Sequence, residues 1–289
     1  MSAPTLNRVQ CLSPAGLHHM AYWEWEGPKP DAPVLICVHG LSRQGRDFDL
    51  LARVLQTQYR VICPDVVGRG NSDWLSNPKL YQIPTYVSDM VTLIARLNVE
   101  QVDWIGTSMG GLIGLGLAAQ RNSPVRRLVL NDVGPTIEFS SLQRIAQYLG
   151  KGPTFATLEE GADYLRRVSV GFGPHTREAW LALSTPMFRQ AGERLRLHYD
   201  PSIAVTLADV TREQVAAGEA GLWAAWDALR APTLLLRGAE SDLLSASTAD
   251  AMTQRGPHAE LVEFAGVGHA PTLQAPEQVA AISKFLFRG

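Results

Sequence analysis

The sequence predicts an α/β fold in which a mostly parallel β-sheet is flanked by helices. Short apolar runs alternate with helical patterns along the first 130 residues. The run Val34–Val38, between Pro33 and Gly40, is apolar at every position, which suits a strand buried on both faces of a parallel sheet. Alternation of such strands with amphipathic helices is typical of βαβ units.

The elements follow in order from these patterns. The segments around Arg8–Cys11 and His18–Trp25 predict a β-hairpin with its turn at Ser13-Pro14-Ala15-Gly16. Further strands are predicted at Val34–Val38, Arg60–Cys63, Val102–Ile105, Val125–Leu130, Thr233–Arg237 and Ala259–Phe264. Helices are predicted around 48–55 and at Thr85–Leu97, Gly111–Ala119, Ala246–Gln254 and Glu277–Phe287.

The alternation stops between about Thr136 and Trp226, where the pattern is helical and amphipathic without a strong strand. Because strands resume at Thr233, this stretch predicts an insertion over a continuous sheet and not a tandem domain. We therefore expect residues 1–135 and 230–289 to form the core domain and residues 136–229 a helical cap.

Composition excludes several classes of protein. The net charge of −2 offers no basic surface for a nucleic acid. No run of 18 apolar residues is present, and the N-terminus lacks the apolar core of a signal peptide, so we expect no membrane span and a cytoplasmic location. The sequence leaves open whether the chain forms a homo-oligomer.

The three cysteines predict no metal site. Cys37 and Cys63 lie in apolar runs, where reduced and buried thiols are expected. Neither a CxxC pair nor a Cys/His spacing typical of zinc is found. We expect neither a metal nor a cofactor.

A nucleophile is predicted at Ser108. Gly106-Thr107-Ser108-Met109-Gly110 is a G-x-S-x-G motif that follows a predicted strand and precedes a predicted helix. In that context the turn is sharp, the serine backbone is strained, and glycines two residues away avoid a collision. The hydroxyl should stand at the carboxyl edge of the sheet, at the positive end of a helix.

His269 is the predicted base. A serine hydroxyl is a weak nucleophile near neutral pH and needs a neighbouring base to accept its proton. Among seven histidines, His269 lies in an ordered loop, Gly266-Val267-Gly268-His269-Ala270-Pro271, directly after a predicted strand. A parallel sheet places that loop at the same edge as Ser108.

The acid that orients His269 is predicted to be Asp242, directly after the strand at Thr233. It gives the chain order Ser, Asp, His that accompanies this nucleophile motif. Two alternatives stay open. Glu240 lies two residues before Asp242, and Asp132 ends a different core strand at the same edge.

The oxyanion hole requires two donors. We expect the backbone N–H of Met109, which follows the nucleophile, and that of Leu41, in the loop His39-Gly40-Leu41-Ser42. His39 is expected to be structural, with hydrogen bonds to backbone across this loop.

Five segments resemble the α/β-hydrolase superfamily, in order and along nearly the whole chain. They are HGLS at 39–42, DVVGRGNS at 65–72, GTSMGG at 106–111, RGAESDLL at 237–244 and GVGHAPTL at 266–273. The resemblance implies an α/β-hydrolase fold with an eight-stranded core, a Ser-His-Asp triad, and a cap inserted after the sixth core strand. It extends to carboxylesterases, lactonases, ring-cleavage-product hydrolases, haloperoxidase-like enzymes and polyester-oligomer hydrolases.

Two branches fit less well. Haloalkane dehalogenases and epoxide hydrolases of this fold use an aspartate nucleophile, whereas position 108 is serine. Haloperoxidase-like members usually have an aromatic residue after the His-Gly pair, where this chain has Leu41.

The predicted function is hydrolysis of carboxylic esters through an acyl-enzyme. The substrate would be a small molecule with a small to medium apolar acyl group, or a hydroxy-acid oligomer of the polyester type. Arg43 and Arg46 are candidates for a clamp on a substrate carboxylate. The alternatives are hydrolysis of a C–C bond in a vinylogous diketone acid and a binding protein that keeps the fold without catalysis.

Overall fold

The computed structural model describes residues 3–208 and 210–288, and its strands form two sheets. In chain order the strands are β1 (Thr5–Ser13), β2 (Gly16–Trp25), β3 (Val34–Val38), β4 (Arg60–Asp65), β5 (Val102–Thr107), β6 (Val125–Asn131), β7 (Thr154–Phe155), β8 (Phe188–Ala191), β9 (Arg194–Leu197), β10 (Thr233–Gly238) and β11 (Glu260–Phe264).

The helices follow the same alternation. In chain order they are α1 (Asp49–Leu55), α2 (Ile83–Leu97), α3 (Met109–Ala118), α4 (Phe139–Ala146), α5 (Leu158–Val168), α6 (Arg177–Ser184), α7 (Val205–Ala208), α8 (Arg212–Ala228), α9 (Ala246–Gln254) and α10 (Pro276–Leu286). Short 3₁₀ turns lie at Gly45–Phe48, Pro78–Leu80, Val170–Phe172, Thr185–Met187 and Pro201–Ala204.

The main sheet has eight strands in the order β1-β2-β4-β3-β5-β6-β10-β11. The first two strands form an antiparallel hairpin, β2 pairs with β4 antiparallel, and the other neighbours are parallel. The predicted eight-stranded, mostly parallel sheet is therefore confirmed. Because β5, β6, β10 and β11 are parallel, the loops that follow them meet at one edge.

Strand β3 shows why the sheet lies between two layers of apolar side chains. All five of its residues are buried, as expected for a strand covered on both faces. Successive side chains point to opposite faces, so Ile36 packs in one hydrophobic cluster while Leu35 and Cys37 pack in the other. The three cysteines are all buried and unpaired, as expected for Cys37 and Cys63.

The chain leaves the main sheet after β6 and returns to it at β10. The intervening residues hold α4 to α8, but also a small antiparallel sheet in the order β7-β9-β8. The sequence pattern, which predicts helices and no strong strand here, misses these three short strands. Strands of two and four residues are too short to show a clear alternating pattern. Strands β8 and β9 are joined by a tight turn in which Gly192 has a φ of +63°.

Backbone hydrogen bonds join this segment to the core. The amide of Gly70 donates to the carbonyl of His198, and the amide of Asp200 donates to Gly68, both over 2.8 Å. The segment 136–229, which the sequence predicts to be a cap and which is called the cap below, therefore contacts the loop that follows β4. Within the described part of the chain, no helix has both the length and the apolar character needed to cross a bilayer.

Candidate active site

Ser108 occupies a strained turn between β5 and α3. Its backbone has φ +52° and ψ −114°, a conformation that a residue with a side chain rarely adopts. A Cβ at Gly106 would collide with the backbone of Gly110 and Gly111, so glycine is required for the close approach. The amide of Ser108 donates to the carbonyl of Asn131 over 3.0 Å, which ties the turn to the end of β6.

His269 lies within hydrogen-bond distance of the serine. Its Nε2 is 3.0 Å from Ser108 Oγ, and its side chain is 11% exposed. The loop that holds it follows β11, and two backbone bonds fix it. Gly268 donates to the carbonyl of Gly171 in the cap over 2.7 Å, and Glu240 donates to Val267 over 2.9 Å.

Asp132, directly after β6, is the carboxylate that contacts the imidazole. Its Oδ2 is 2.7 Å from His269 Nδ1, and the side chain is fully buried. The amide of Gly238 donates to Oδ1 over 2.9 Å, and the Ser241 hydroxyl donates to Oδ2 over 2.6 Å. These donors hold the carboxylate toward the ring, and the φ of +57° at Asp132 is a second strained backbone position beside Ser108.

The prediction that Asp242 orients His269 is corrected by these contacts, and its alternative Asp132 takes that place. Asp242 pairs instead with Arg144 of α4, from Nε over 2.7 Å and Nη2 over 3.0 Å. Neighbouring residues of the loop after β10 point in different directions, so Ser241 faces Asp132 while Asp242 faces the cap. Glu240 is exposed, and its hydrogen bond to the histidine loop is donated by its backbone amide.

The environment of Asp242 is that of a surface ion pair. Its side chain is 46% exposed. Partial burial alone would raise the pKa of this carboxyl, but the adjoining Arg144 guanidinium outweighs burial and holds the pKa below its usual range. Asp242 therefore stays ionised as the partner of an arginine.

Leu41 and Met109 both belong to segments next to the serine. Met109 is the first residue of α3, where an amide has no partner within the helix. The loop containing Leu41 approaches so closely that a Cβ on Gly40 would be 3.8 Å from the Cβ of Ser108. Both predicted oxyanion donors thus belong to segments that border Ser108.

His39 is structural, as expected. Its Nδ1 donates to the carbonyl of Gly40 over 2.7 Å, and its Nε2 accepts a hydrogen bond from the amide of Val66 over 3.0 Å. Complete burial lowers the pKa of His39 to about 3, so the ring is neutral and can act as donor and acceptor at once.

Arg69 and Asn131 shape the site although neither was predicted. The guanidinium of Arg69 is fully buried and donates from Nε to the carbonyl of Leu41 over 2.8 Å. Asn131 donates from Nδ2 to the Thr107 hydroxyl over 3.0 Å and to the carbonyl of Pro271 over 2.8 Å. These hydrogen bonds hold three segments of the site together. In the sequence, Arg69 could have been noticed because it lies in the segment 65–72, which resembles the family.

The two arginines proposed as a clamp have different positions. Arg43 borders the site, but it is 7% exposed and donates to Asp47 from Nε and Nη2, and to the carbonyl of Leu183. Arg46 pairs with Asp49 and stacks on the ring of Trp23, 4.6 Å from its centroid. Arg46 borders neither pocket at Ser108, so the prediction that places it in the clamp is wrong.

Two pockets meet at Ser108. The first, named the His269 pocket, has a volume of about 100 Å³ and lies between the histidine loop and the cap. Its walls include His269, Arg144 and Tyr148. The second, named the Met109 pocket, has a volume of about 250 Å³ and is lined mostly by apolar side chains. Those side chains include Met109, Leu112, Val133, Ile137, Leu142 and Leu243.

A group of potential metal ligands lies apart from these pockets, on β1, β2 and α2. Cys11, His18 and Asp89 are buried together, and His18 Nε2 is 3.0 Å from Asp89. Burial, with the Asp89 charge adding to it, raises the pKa of the Cys11 thiol to about 12. A protonated thiol beside a completed His–Asp pair is a poor cation site.

Known proteins resemble this chain along most of its length. The chain is 53% identical over 288 residues to the 3-hydroxybutyrate-oligomer hydrolase of Cupriavidus necator, which covers 98% of both chains. It is 28% identical to the 2-hydroxymuconate semialdehyde hydrolase of a Pseudomonas strain, over 86% of this chain and 84% of that one.

Solved structures extend the comparison to the fold. The crystal structure of an alpha/beta hydrolase from Novosphingobium aromaticivorans superposes with a TM-score of 0.87, at 36% identity and 99% coverage of both chains. The sequence profile of the alpha/beta hydrolase family matches residues 35–282, which span β3 to α10. By sequence, strand order and coverage together, this chain belongs to the alpha/beta hydrolase family.

Proposed function

We propose that the protein hydrolyses carboxylic esters through an acyl-enzyme on Ser108. The observation that carries this proposal is the chain of contacts from Ser108 Oγ to His269 Nε2 and from His269 Nδ1 to Asp132. With a proton on Nδ1 donated to the carboxylate, Nε2 is free to accept the serine proton. No step requires a metal or cofactor.

Acylation begins when Ser108 Oγ attacks the ester carbonyl carbon and passes its proton to His269 Nε2. The tetrahedral intermediate bears a negative oxygen, toward which the amides of Leu41 and Met109 donate. Asp132 stabilises the imidazolium through the bond to Nδ1. The ester C–O bond then breaks, and Nε2 returns the proton to the departing alcohol.

Deacylation repeats these steps with water as the nucleophile. His269 takes a proton from water as its oxygen attacks the acyl carbon, and the same two amides hold the oxyanion. Collapse breaks the bond to Ser108 Oγ, which regains its proton from His269. The products are the carboxylic acid and the alcohol, so atoms and charge balance with one water consumed.

The proposed substrates are short oligomers of a 3-hydroxy acid. The relative from Cupriavidus necator, whose name gives 3-hydroxybutyrate oligomers as its substrate, shares 53% of residues over nearly the whole chain. The Met109 pocket supports the same class because its apolar lining suits short aliphatic units.

Hydrolysis of a C–C bond is the competing candidate, favoured by the similarity to the 2-hydroxymuconate semialdehyde hydrolase. The two candidates use the same triad on different substrates. The higher identity and coverage of the oligomer hydrolase place the ester reaction first.

Purified enzyme incubated with the dimer and trimer of 3-hydroxybutyrate tests the proposal. We expect release of the monomer by wild type, p-nitrophenyl butyrate turnover in the same preparation, and loss of both in Ser108→Ala. Turnover of a coloured ring-cleavage product far above any ester would reverse the order of the two candidates. Binding of these compounds without turnover would indicate a binding protein.

A further inference from the structure

The two pockets at Ser108 differ in which part of the reaction they serve. His269 borders the pocket named after it, of about 100 Å³, and does not border the Met109 pocket, of about 250 Å³. Met109 borders only the pocket named after it, while Leu41 and Ser108 border both pockets. His269 and Met109 therefore border different pockets, which share Ser108.

This arrangement assigns each half of a bound ester to one of the two pockets. The departing alcohol must receive its proton from His269 Nε2, so it leaves on the side of the His269 pocket. The acyl group remains on Ser108 and extends into the Met109 pocket. In an oligomer of a hydroxy acid, the alcohol half of each ester bond is the half that leads to the free carboxylate end. A dimer cleaved in this orientation places its carboxylate in the His269 pocket.

Of the two arginines that border the His269 pocket, Arg144 is the one that is available to bind a substrate carboxylate. Its side chain is 35% exposed, and Asp242 accepts from two of the five N–H donors of the guanidinium. By contrast, Arg43 is almost buried and is used by Asp47 and the carbonyl of Leu183. Arg144 borders the His269 pocket, whereas Asp242 is not among the residues that line it.

Tyr148 adds a polar group next to this arginine. It lies four residues after Arg144, just beyond the end of α4, and borders the same pocket. Burial raises the pKa of Tyr148, and the nearby Arg144 charge opposes part of this rise. A guanidinium beside a phenol hydroxyl suits a carboxylate, which accepts hydrogen bonds from both.

We propose that Arg144 binds the terminal carboxylate of the substrate and so directs cleavage to the ester bond at the carboxyl end. This inference rests on the proposed ester hydrolysis and adds the recognised group and the direction of cleavage. Asp242 holds the guanidinium in place when no substrate is bound.

The first test compares the 3-hydroxybutyrate dimer as free acid with its methyl ester, following cleavage of the internal bond. Wild type should prefer the free acid in kcat/KM. Arg144→Gln should lower kcat/KM for the acid by about tenfold to a hundredfold, through KM, while changing that for the methyl ester less than about threefold. Arg144→Lys should keep part of the preference.

The matched control is Arg255→Gln. Arg255 forms an exposed pair with Asp227 that also joins core and cap, but it borders neither pocket. This variant should keep the wild-type preference. Equal losses for acid and methyl ester in Arg144→Gln, or no preference in an active wild type, would overturn the inference. Absence of any ester turnover by wild type would remove the proposed function itself.

The direction of cleavage has its own readout. A trimer with a ¹³C-labelled unit at the carboxyl end should release labelled monomer first in wild type. Arg144→Gln should lose this order. Release of unlabelled monomer first by wild type would show that the ester bond at the hydroxyl end is cleaved first, and it would overturn the inference.

Discussion

His269 Nδ1 lies 2.7 Å from Asp132 Oδ2, although the strands that precede these residues, β11 and β6, are separated in the sheet by β10. Asp132 reaches the ring from the end of β6, and it is held there by the amide of Gly238 from β10. The acid and its support thus come from two adjacent strands. In the proposed mechanism, stabilisation of the imidazolium therefore depends on Asp132 and not on Asp242.

A pair of isosteric variants tests that assignment. Asp132→Asn should lower kcat on p-nitrophenyl butyrate by about 10³- to 10⁴-fold, because an amide can no longer stabilise the imidazolium or hold its tautomer. Asp242→Asn should stay within about threefold of wild type on this neutral ester. Steady-state kinetics measure both, and the opposite ranking would return the role to Asp242.

Backbone strain at Ser108 gives a second prediction. Both Ser108→Ala and Ser108→Gly should abolish turnover, but glycine tolerates a φ of +52° that alanine does not. The glycine variant should exceed the alanine variant in free energy of unfolding by about 1 kcal/mol. Urea denaturation provides the comparison, and an alanine variant of equal or greater stability would show that the turn is unstrained.

The close contact between the cap and the histidine loop gives a third prediction. A Cβ on Gly171 would come within 2.7 Å of the amide nitrogen and carbonyl oxygen of His269. Gly171→Ala should displace one of the two loops and reduce kcat by at least about tenfold. Gly221→Ala is the control, since nothing lies within 4 Å of a Cβ there, and it should raise stability by about 0.5–1 kcal/mol. Wild-type kcat in Gly171→Ala would refute the coupling.

Acid should destabilise the protein through His39. Burial lowers the pKa of His39 from 6.5 to about 3, so the folded state binds this proton far less readily than the unfolded chain. The stabilisation that results is complete above pH 6.5 and is lost as pH falls toward 3. Over that window His39 should contribute a slope of up to about 1.4 kcal/mol per pH unit.

The measurement is urea unfolding of wild type and His39→Gln between pH 7.5 and 4.5. The variant is expected to be less stable at neutral pH, because it cannot satisfy Gly40 and Val66 together, but its stability should fall less steeply with acid. Parallel pH curves for the two proteins would contradict the burial of a neutral ring.

The core strands could be predicted from sequence because each is a short apolar run, as in β3, and burial on both faces leaves little ambiguity. The positions of Ser108 and His269 followed from glycine-rich loops after such strands. These features are local, so a pattern along the chain is enough to find them.

The acid and the arginines depend on tertiary structure instead. Asp132 and Asp242 both follow strands that end at the same edge, and only the direction of each side chain decides which one meets His269. Arg144 lies within an ordinary amphipathic helix, and its relevance appears only when α4 is placed over the site. Strands β7 to β9 are too short to leave a pattern.

Covalent labelling with a p-nitrophenyl alkylphosphonate tests the central claim most directly. Mass spectrometry of the intact protein and its peptides should find one phosphonyl group, on Ser108, added in proportion to lost activity. Asp132→Asn should be labelled much more slowly than Asp242→Asn. An inactivated enzyme with Ser108 unmodified, or with the group on another residue, would contradict the mechanism.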